Sequence, residues 1–147
     1  MNAGVIFLVN LVTTWYLVGL IWMVQCVHYK LFDRVGGEQF IEYETDHANL
    51  ITPIVGPPML VEIATAGLLL VFAPPLIPRW VLVAAFVAVV GIWLSTAFIQ
   101  VPCHNRLTND GFTRADYQLL VGSNWIRTIL WTARGLVLAY FASKLMT

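Results

Sequence analysis

The 147-residue chain is strongly apolar: 59% of its residues are hydrophobic, 11% are charged, and the formal net charge is zero. Soluble domains carry about 25% charged residues, so this composition argues against a water-soluble fold, and the lack of net positive charge argues against nucleic-acid binding. The length predicts one integral membrane domain, residues 1–147.

Four apolar stretches are each long enough to cross a bilayer, which takes about 20 residues. They are residues 4–28, 48–73, 80–100 and 119–142. A charged connection, a proline-rich turn and a polar loop separate them, at residues 33–46, 74–78 and 105–116. Backbone groups inside a bilayer must bond internally, so each stretch is predicted to be helical. Because the connections are short, the predicted fold is an all-α membrane protein, an antiparallel four-helix transmembrane bundle. The N-terminus lacks a basic segment and a small-residue cleavage site, so no removed signal peptide is expected.

The first and third spans end in similar sequences, VQCVHYKL at 24–31 and IQVPCHNRL at 99–107. Each leaves the apolar run through a glutamine, a cysteine, a histidine and a basic residue, although the whole chain has only three histidines and two cysteines. The two spans run in the same direction, so these endings are predicted to share one end of the bundle. Cys26 and Cys103 are read as small apolar residues, since a cytoplasmic rim is reducing.

The second span contains Pro53, Pro57 and Pro58, each of which removes a backbone donor. Residues 52–58 are therefore predicted to kink or partly unwind. Exposed carbonyls at membrane depth are tolerated where they line a cavity, which predicts a pocket between Ile51 and Glu62.

The fourth span carries a stripe formed by Asn124, Arg127, Trp131 and Arg134. Arginine at a helix centre costs roughly 2.5–3.5 kcal/mol on insertion scales, so this stripe is predicted to face the interior. Glu62 is the acid at comparable depth, and a Glu62–Arg134 pair is expected near mid-membrane.

Loop charges predict the orientation. The two connections at the histidine end carry four basic residues, Lys30, Arg34, Arg106 and Arg114, against two on the opposite side, Arg79 and Lys144. The positive-inside rule therefore predicts cytoplasmic connections and both termini outside the cytoplasm, in a bacterial inner membrane. All three histidines then lie at the cytoplasmic end.

This cluster is open to several interpretations. Imidazole suits zinc, copper, iron and haem, so a transition metal ion or haem is one expectation. Its candidate ligands are His28, His47, His104 and Glu44. A metal-free alternative uses histidine, including His47, as general base and Arg127 to stabilise an oxyanion of a hydrophobic aromatic or quinone-like molecule. The predicted pocket lining is Gln25, Gln100, Trp131, Glu62 and Arg134. The histidines taken singly also fit ordinary interfacial positions.

From Ser95 onward the chain resembles the anthrone-oxygenase-like family of small four-helix membrane proteins. PCHNRL at 102–107 matches that family's Pro-x-Asn-x-x-Leu pattern with histidine in place of asparagine. NWIRT at 124–128 matches its His-x-x-Arg-Thr pattern with asparagine in place of histidine. The resemblance implies a membrane oxidoreductase or oxygenase acting on a phenolic polycyclic compound without an organic cofactor. It also implies His104, Asn124 and Arg127 as catalytic residues.

Two alternatives remain. ITPIVGP at 51–57, with the His28 region, is similar to a segment of the small membrane haem-binding protoporphyrinogen oxidases, which implies haem for electron transfer or carriage. A structural alternative is an accessory subunit of a larger membrane complex, or a homo-oligomer, because small residues suit close helix contacts. Those residues are Gly4, Gly19, Gly67, Gly91 and Gly135.

Overall fold

The structure, a computed structural model, describes residues 2–145, and every regular element in that range is helical. Four long helical segments follow one another: α1 (Ala3–Arg34), α2 (Gly37–Val71), α3 (Arg79–Asp110) and α4 (Arg114–Leu145). The short connections, residues 35–36, 72–78 and 111–113, make successive segments antiparallel. α1 and α3 each contact both α2 and α4, so the four segments form an up-and-down ring.

The predicted all-helical fold is confirmed, and some of the helices extend beyond the predicted apolar spans. The α-helical part of α2 begins at Phe40, inside the predicted charged connection, and α3 stays helical to Asp110. Hydropathy misses these ends because charged residues alternate there with buried ones, such as Glu44 and Leu107. Of the two alternatives predicted for residues 52–58, partial unwinding is wrong, since the α-helix continues through all three prolines, and a kink stays a prediction.

Three of the segments, α1, α2 and α3, are long and apolar enough to cross a membrane. The mean hydropathy of α4 is lowered by side chains that lie inside the bundle, including Arg127 and Arg134 at 7% and 3% exposure. The outer surface carries large apolar residues, with Trp80 and Phe98 exposed at 72% and 75%. Large exposed apolar side chains together with buried arginines are unlike the usual arrangement of a soluble protein.

Two of the glycines predicted to suit close helix contacts, Gly91 and Gly135, pack closely against other helices of the same chain. A Cβ added at Gly91 would lie 3.3 Å from Leu130, and one at Gly135 would lie 3.3 Å from Val18. A Cβ at Gly19 would meet nothing within 4 Å. Internal packing therefore accounts for Gly91 and Gly135, and association with other subunits stays a prediction.

The repeated sequence endings coincide with a shared irregularity. α1 contains a π-helical turn at Val24–His28, and α3 contains one at Thr96–Gln100. A π turn fits an extra residue into one turn of helix, and such turns are frequent at functional sites. Each of these turns includes the glutamine of its repeat, Gln25 or Gln100.

Candidate functional site

A cavity of about 320 Å³ lies inside the ring, towards the end that holds the α1–α2 and α3–α4 connections. Most of its wall is apolar, with contributions from Leu17, Ile21, Val55 and Met59. Its polar lining includes Tyr29, His47, Gln100, His104 and Arg127. The α2 wall runs from His47 to Met59, so the predicted pocket is present from Ile51 to Met59 but does not reach Glu62.

Glu44, His104 and Tyr29 form a hydrogen-bonded chain that ends at the cavity. Glu44 on α2 is fully buried, and its Oε1 contacts Nδ1 of His104 on α3. The other ring nitrogen, Nε2, lies 3.0 Å from the hydroxyl of Tyr29 on α1. When the carboxylate is ionised and the imidazole is neutral, Nδ1 donates to Glu44 and Nε2 accepts from the Tyr29 hydroxyl. This carboxylate–imidazole–hydroxyl chain can move a proton between the cavity and Glu44.

Arg127 extends the chain on the α4 side. Its Nη2 lies 3.5 Å from the Tyr29 hydroxyl, and its Nε donates to Oδ1 of Asn124 at 2.9 Å. Asn124 in turn donates from Nδ2 to Oε1 of Gln25 at 2.7 Å. Among the described residues, no carboxylate lies within ion-pair distance of Arg127. The guanidinium therefore brings an uncompensated positive charge to an apolar cavity, which favours an anionic group there.

The two remaining histidines bond to each other. Nε2 of His28 lies 2.8 Å from Nδ1 of His47, and their ring centroids are 4.4 Å apart. Two axial ligands on opposite sides of one iron would place their nitrogens about 4 Å apart, at about 2 Å per metal bond. His104 uses both ring nitrogens in the chain to Glu44 and Tyr29. In this arrangement the two bonded nitrogens of His28 and His47 lie too close together to ligate opposite sides of one haem iron.

A metal ion also lacks a suitable ligand set in residues 2–145. No group of three or more histidine, cysteine, aspartate or glutamate side chains in that range is placed to hold one. The predicted ligands His28, His47, His104 and Glu44 do meet, but as two hydrogen-bonded pairs. Cys26 is exposed and Cys103 is buried, and both are free thiols, in agreement with their reading as ordinary helix residues.

Deeper in the bundle, the predicted pair of Glu62 and Arg134 is present, with Nη1 of Arg134 2.7 Å from Oε1 of Glu62. Trp131 donates from Nε1 to Oε2 of Glu62 at 2.9 Å, and Arg134 donates from Nη2 to Oδ1 of Asn10 at 2.6 Å. Thr14 contacts both members of the pair. The five side chains form one buried polar network.

Some predicted lining residues lie behind the cavity wall. Gln100 and Trp131 line the cavity, whereas Gln25, Glu62 and Arg134 do not. These three side chains turn towards polar partners in the interior, a direction that sequence depth alone does not give. Of the predicted catalytic residues, His47, His104 and Arg127 line the cavity. Asn124 does not, and it holds Arg127 from behind.

The two repeated glutamines attach α1 and α3 to the same part of α4. Gln25 donates from Nε2 to the carbonyl of Val121 at 3.2 Å, and Gln100 donates from Nε2 to the hydroxyl of Ser123 at 3.0 Å. Both glutamines belong to π-helical turns. The glutamines of the two repeated sequences therefore attach α1 and α3, two walls of the cavity, to α4, a third wall.

Sequence reasoning missed Tyr29, which is 2% exposed and joins His104 to Arg127. A tyrosine at the end of an apolar run is typical of an interfacial residue. The one feature that could have indicated a site residue was its position directly after His28 in the repeated sequence. The site thus combines a hydrogen-bonded carboxylate–imidazole–hydroxyl chain, an arginine without an ion-pair partner among the described residues, and an apolar cavity. No family model matches the chain, and no significant match was found among curated proteins or solved structures.

Proposed function

We propose that the chain is an integral membrane protein whose four helices all cross the bilayer. Support comes from the apolar outer surface and from the burial of both α4 arginines, which removes the main obstacle to placing α4 in lipid. The site end faces the cytoplasm and the termini face outwards, as the four-against-two distribution of basic residues favours. Reporter domains fused at the C-terminus and in the α1–α2 connection test this; a cytoplasmic C-terminus contradicts the orientation.

Within this membrane protein, the cavity binds a lipid-soluble aromatic or quinone-like molecule. Ligand cavities have volumes of about 300–1,000 Å³ and are mostly apolar with a few fixed polar groups, and this cavity of about 320 Å³ has that character. The molecule's rings lie against the apolar wall, and its oxygen lies beside Tyr29 and Arg127. A wall without charge except at one end suits a polycyclic phenol better than a highly charged metabolite.

The single observation that carries a catalytic function is the Glu44–His104–Tyr29 chain, which reaches the cavity beside Arg127. The substrate proton passes to the Tyr29–His104 pair, and Arg127 stabilises the phenolate or enolate that remains. Molecular oxygen, the co-reactant, then oxidises a ring CH₂ group to a carbonyl. One oxygen atom ends in the carbonyl and the other in water, so four electrons leave the carbon and four reduce the oxygen. The chain is thus an oxidoreductase of the oxygenase type.

Anthrone, a tricyclic ketone with an ionisable CH₂ group, is the probe for this function. Purified protein in detergent should consume oxygen and form anthraquinone faster than detergent alone. General acid–base groups contribute about 10²–10⁴-fold to rate, so Tyr29→Phe and His104→Gln should each lower kcat by about 100-fold or more. Cys26→Ser, an exposed change on the same π turn as Gln25, is the matched control. Wild-type turnover no faster than detergent alone contradicts the proposal.

A further inference from the structure

Two residues that line the cavity, Gln100 and Trp93, each have a buried side-chain polar atom without a hydrogen-bond partner among residues 2–145. Gln100 is 1% exposed and lines the cavity, and its Oε1 has no hydrogen-bond partner within residues 2–145. Nε1 of Trp93, another lining residue on α3, is likewise buried without a partner in that range. Buried polar groups are nearly always hydrogen-bonded, so each exception needs an explanation.

The orientation of the Gln100 amide follows from its neighbour. The hydroxyl of Ser123 donates to the carbonyl of Leu119 at 2.5 Å, and a hydroxyl has one hydrogen to donate. Ser123 must therefore accept from Gln100, and only Nε2 of the amide can donate, at 3.0 Å. The unpartnered end of Gln100 is thus its oxygen, an acceptor.

The equivalent glutamine of the other repeat has no such free end. Gln25 donates from Nε2 to the carbonyl of Val121 and accepts at Oε1 from Asn124. It also lies outside the cavity wall. The two glutamines hold α4 in the same way, and only Gln100, which lines the cavity, has an amide oxygen without a partner among the described residues.

We infer that Gln100 determines ligand specificity by accepting a hydrogen bond from a hydroxyl group of the molecule in the cavity. This inference rests on the proposed function and narrows its substrate class. A phenol or hydroquinone supplies the hydrogen that Oε1 lacks, whereas a quinone or methyl ether supplies only acceptors and leaves Oε1 unpaired. The cavity therefore prefers the hydroxylated, reduced form, and oxidation of that hydroxyl weakens binding.

The test compares two matched probes, 2,6-dihydroxynaphthalene and its monomethyl ether. One hydroxyl of each probe binds beside Tyr29 and Arg127. Only the diol has a second hydroxyl that can donate to Oε1 of Gln100. Isothermal titration calorimetry of protein in detergent gives both values of Kd. One net hydrogen bond corresponds to about 2- to 12-fold in affinity, so the wild-type protein should bind the diol tighter by that factor.

Two variants locate the preference. Gln100→Met keeps the shape of the side chain without its oxygen, and should bring the two affinities to within about twofold, chiefly by weakening the diol. An unchanged affinity for the ether shows that this variant is folded. Ser123→Ala removes the bond to Nε2 but leaves the oxygen, so it should retain the preference for the diol.

The outcomes separate this inference from the proposed function. Equal affinities in the wild-type protein, or a preference that persists in Gln100→Met, overturn the role of Gln100. The proposed cavity still stands in that case if Arg127→Met weakens both probes. If neither probe binds the wild-type protein, the proposed function fails and the inference fails with it.

Discussion

The ion pair between Glu62 and Arg134 should be costly to break from one side. Each side chain is 1% exposed, and Glu62 contacts Arg134 at 2.7 Å, Trp131 at 2.9 Å and Thr14 at 2.8 Å. Removing one partner of a buried pair costs about 3–5 kcal/mol. An indole N–H left unpaired costs about 1–3 kcal/mol more. Glu62→Met should therefore lower the free energy of unfolding by about 4–8 kcal/mol, much of the 5–15 kcal/mol typical of a protein.

The double variant Glu62→Met/Arg134→Met is the decisive comparison, because it removes the unpaired charge. It should be at least about 2 kcal/mol more stable than Glu62→Met, although Asn10 and Trp131 still lose partners. Denaturant unfolding of purified protein in detergent, followed by tryptophan fluorescence, gives both values. Glu42→Gln changes an exposed carboxylate on the same helix and should stay within about 0.5 kcal/mol of wild type. A loss below about 1 kcal/mol in Glu62→Met, or a double variant less stable than Glu62→Met, would show that the ion pair does not stabilise the fold in this way.

Two further predictions concern packing and pH. Gly135→Leu should lower the free energy of unfolding by about 1–3 kcal/mol through overpacking. Gly19→Ala should leave that free energy unchanged or raise it by up to about 1 kcal/mol. Thermal unfolding distinguishes the two variants, and equal changes in stability would contradict the packing of Gly135 against Val18. A hydrogen bond from the Thr113 hydroxyl, and then one from Arg106, lowers the pKa of Asp116, which precedes the apolar part of α4. Its stabilisation is therefore present above its ordinary value of 3.8 and is lost as the pH falls through the lowered folded-state pKa. The Tm of Asp116→Asn should lack that acid-dependent decrease, and an unchanged Tm profile contradicts this assignment.

The helical fold could be predicted because long apolar runs leave few alternatives, and the pairing of Glu62 with Arg134 followed from matching depths. The ends of α2 and α3 could not be predicted, because charged residues there lower the hydropathy although some positions, such as Glu44, are buried. In the site, the main feature that the sequence could not predict was the direction in which each side chain points. Depth brought His28 and His47 together correctly, but only their rotamers decide whether they bond to each other or converge on a metal.

Tyr29 illustrates the same limit at the backbone level. The π-helical turn directly before it is not visible in the amino-acid pattern, so its inward position could not be read from helical spacing. Asn10 was similarly visible only as a polar interruption of an apolar run. Its role becomes clear when α4 brings Arg134 against it. The roles of Tyr29 and Asn10 depend on contacts with neighbouring helices, which the sequence alone does not give.

The proposed function requires a phenolic molecule to bind inside the bundle with its oxygen beside Tyr29 and Arg127. An experimental structure of the purified protein with saturating 2,6-dihydroxynaphthalene tests this most directly. Ligand density is expected in the cavity, between the α2 and α3 walls, with one ligand oxygen about 3 Å from the Tyr29 hydroxyl or the Arg127 guanidinium. Ligand density confined to the outer surface, with the cavity closed by protein side chains, would contradict it.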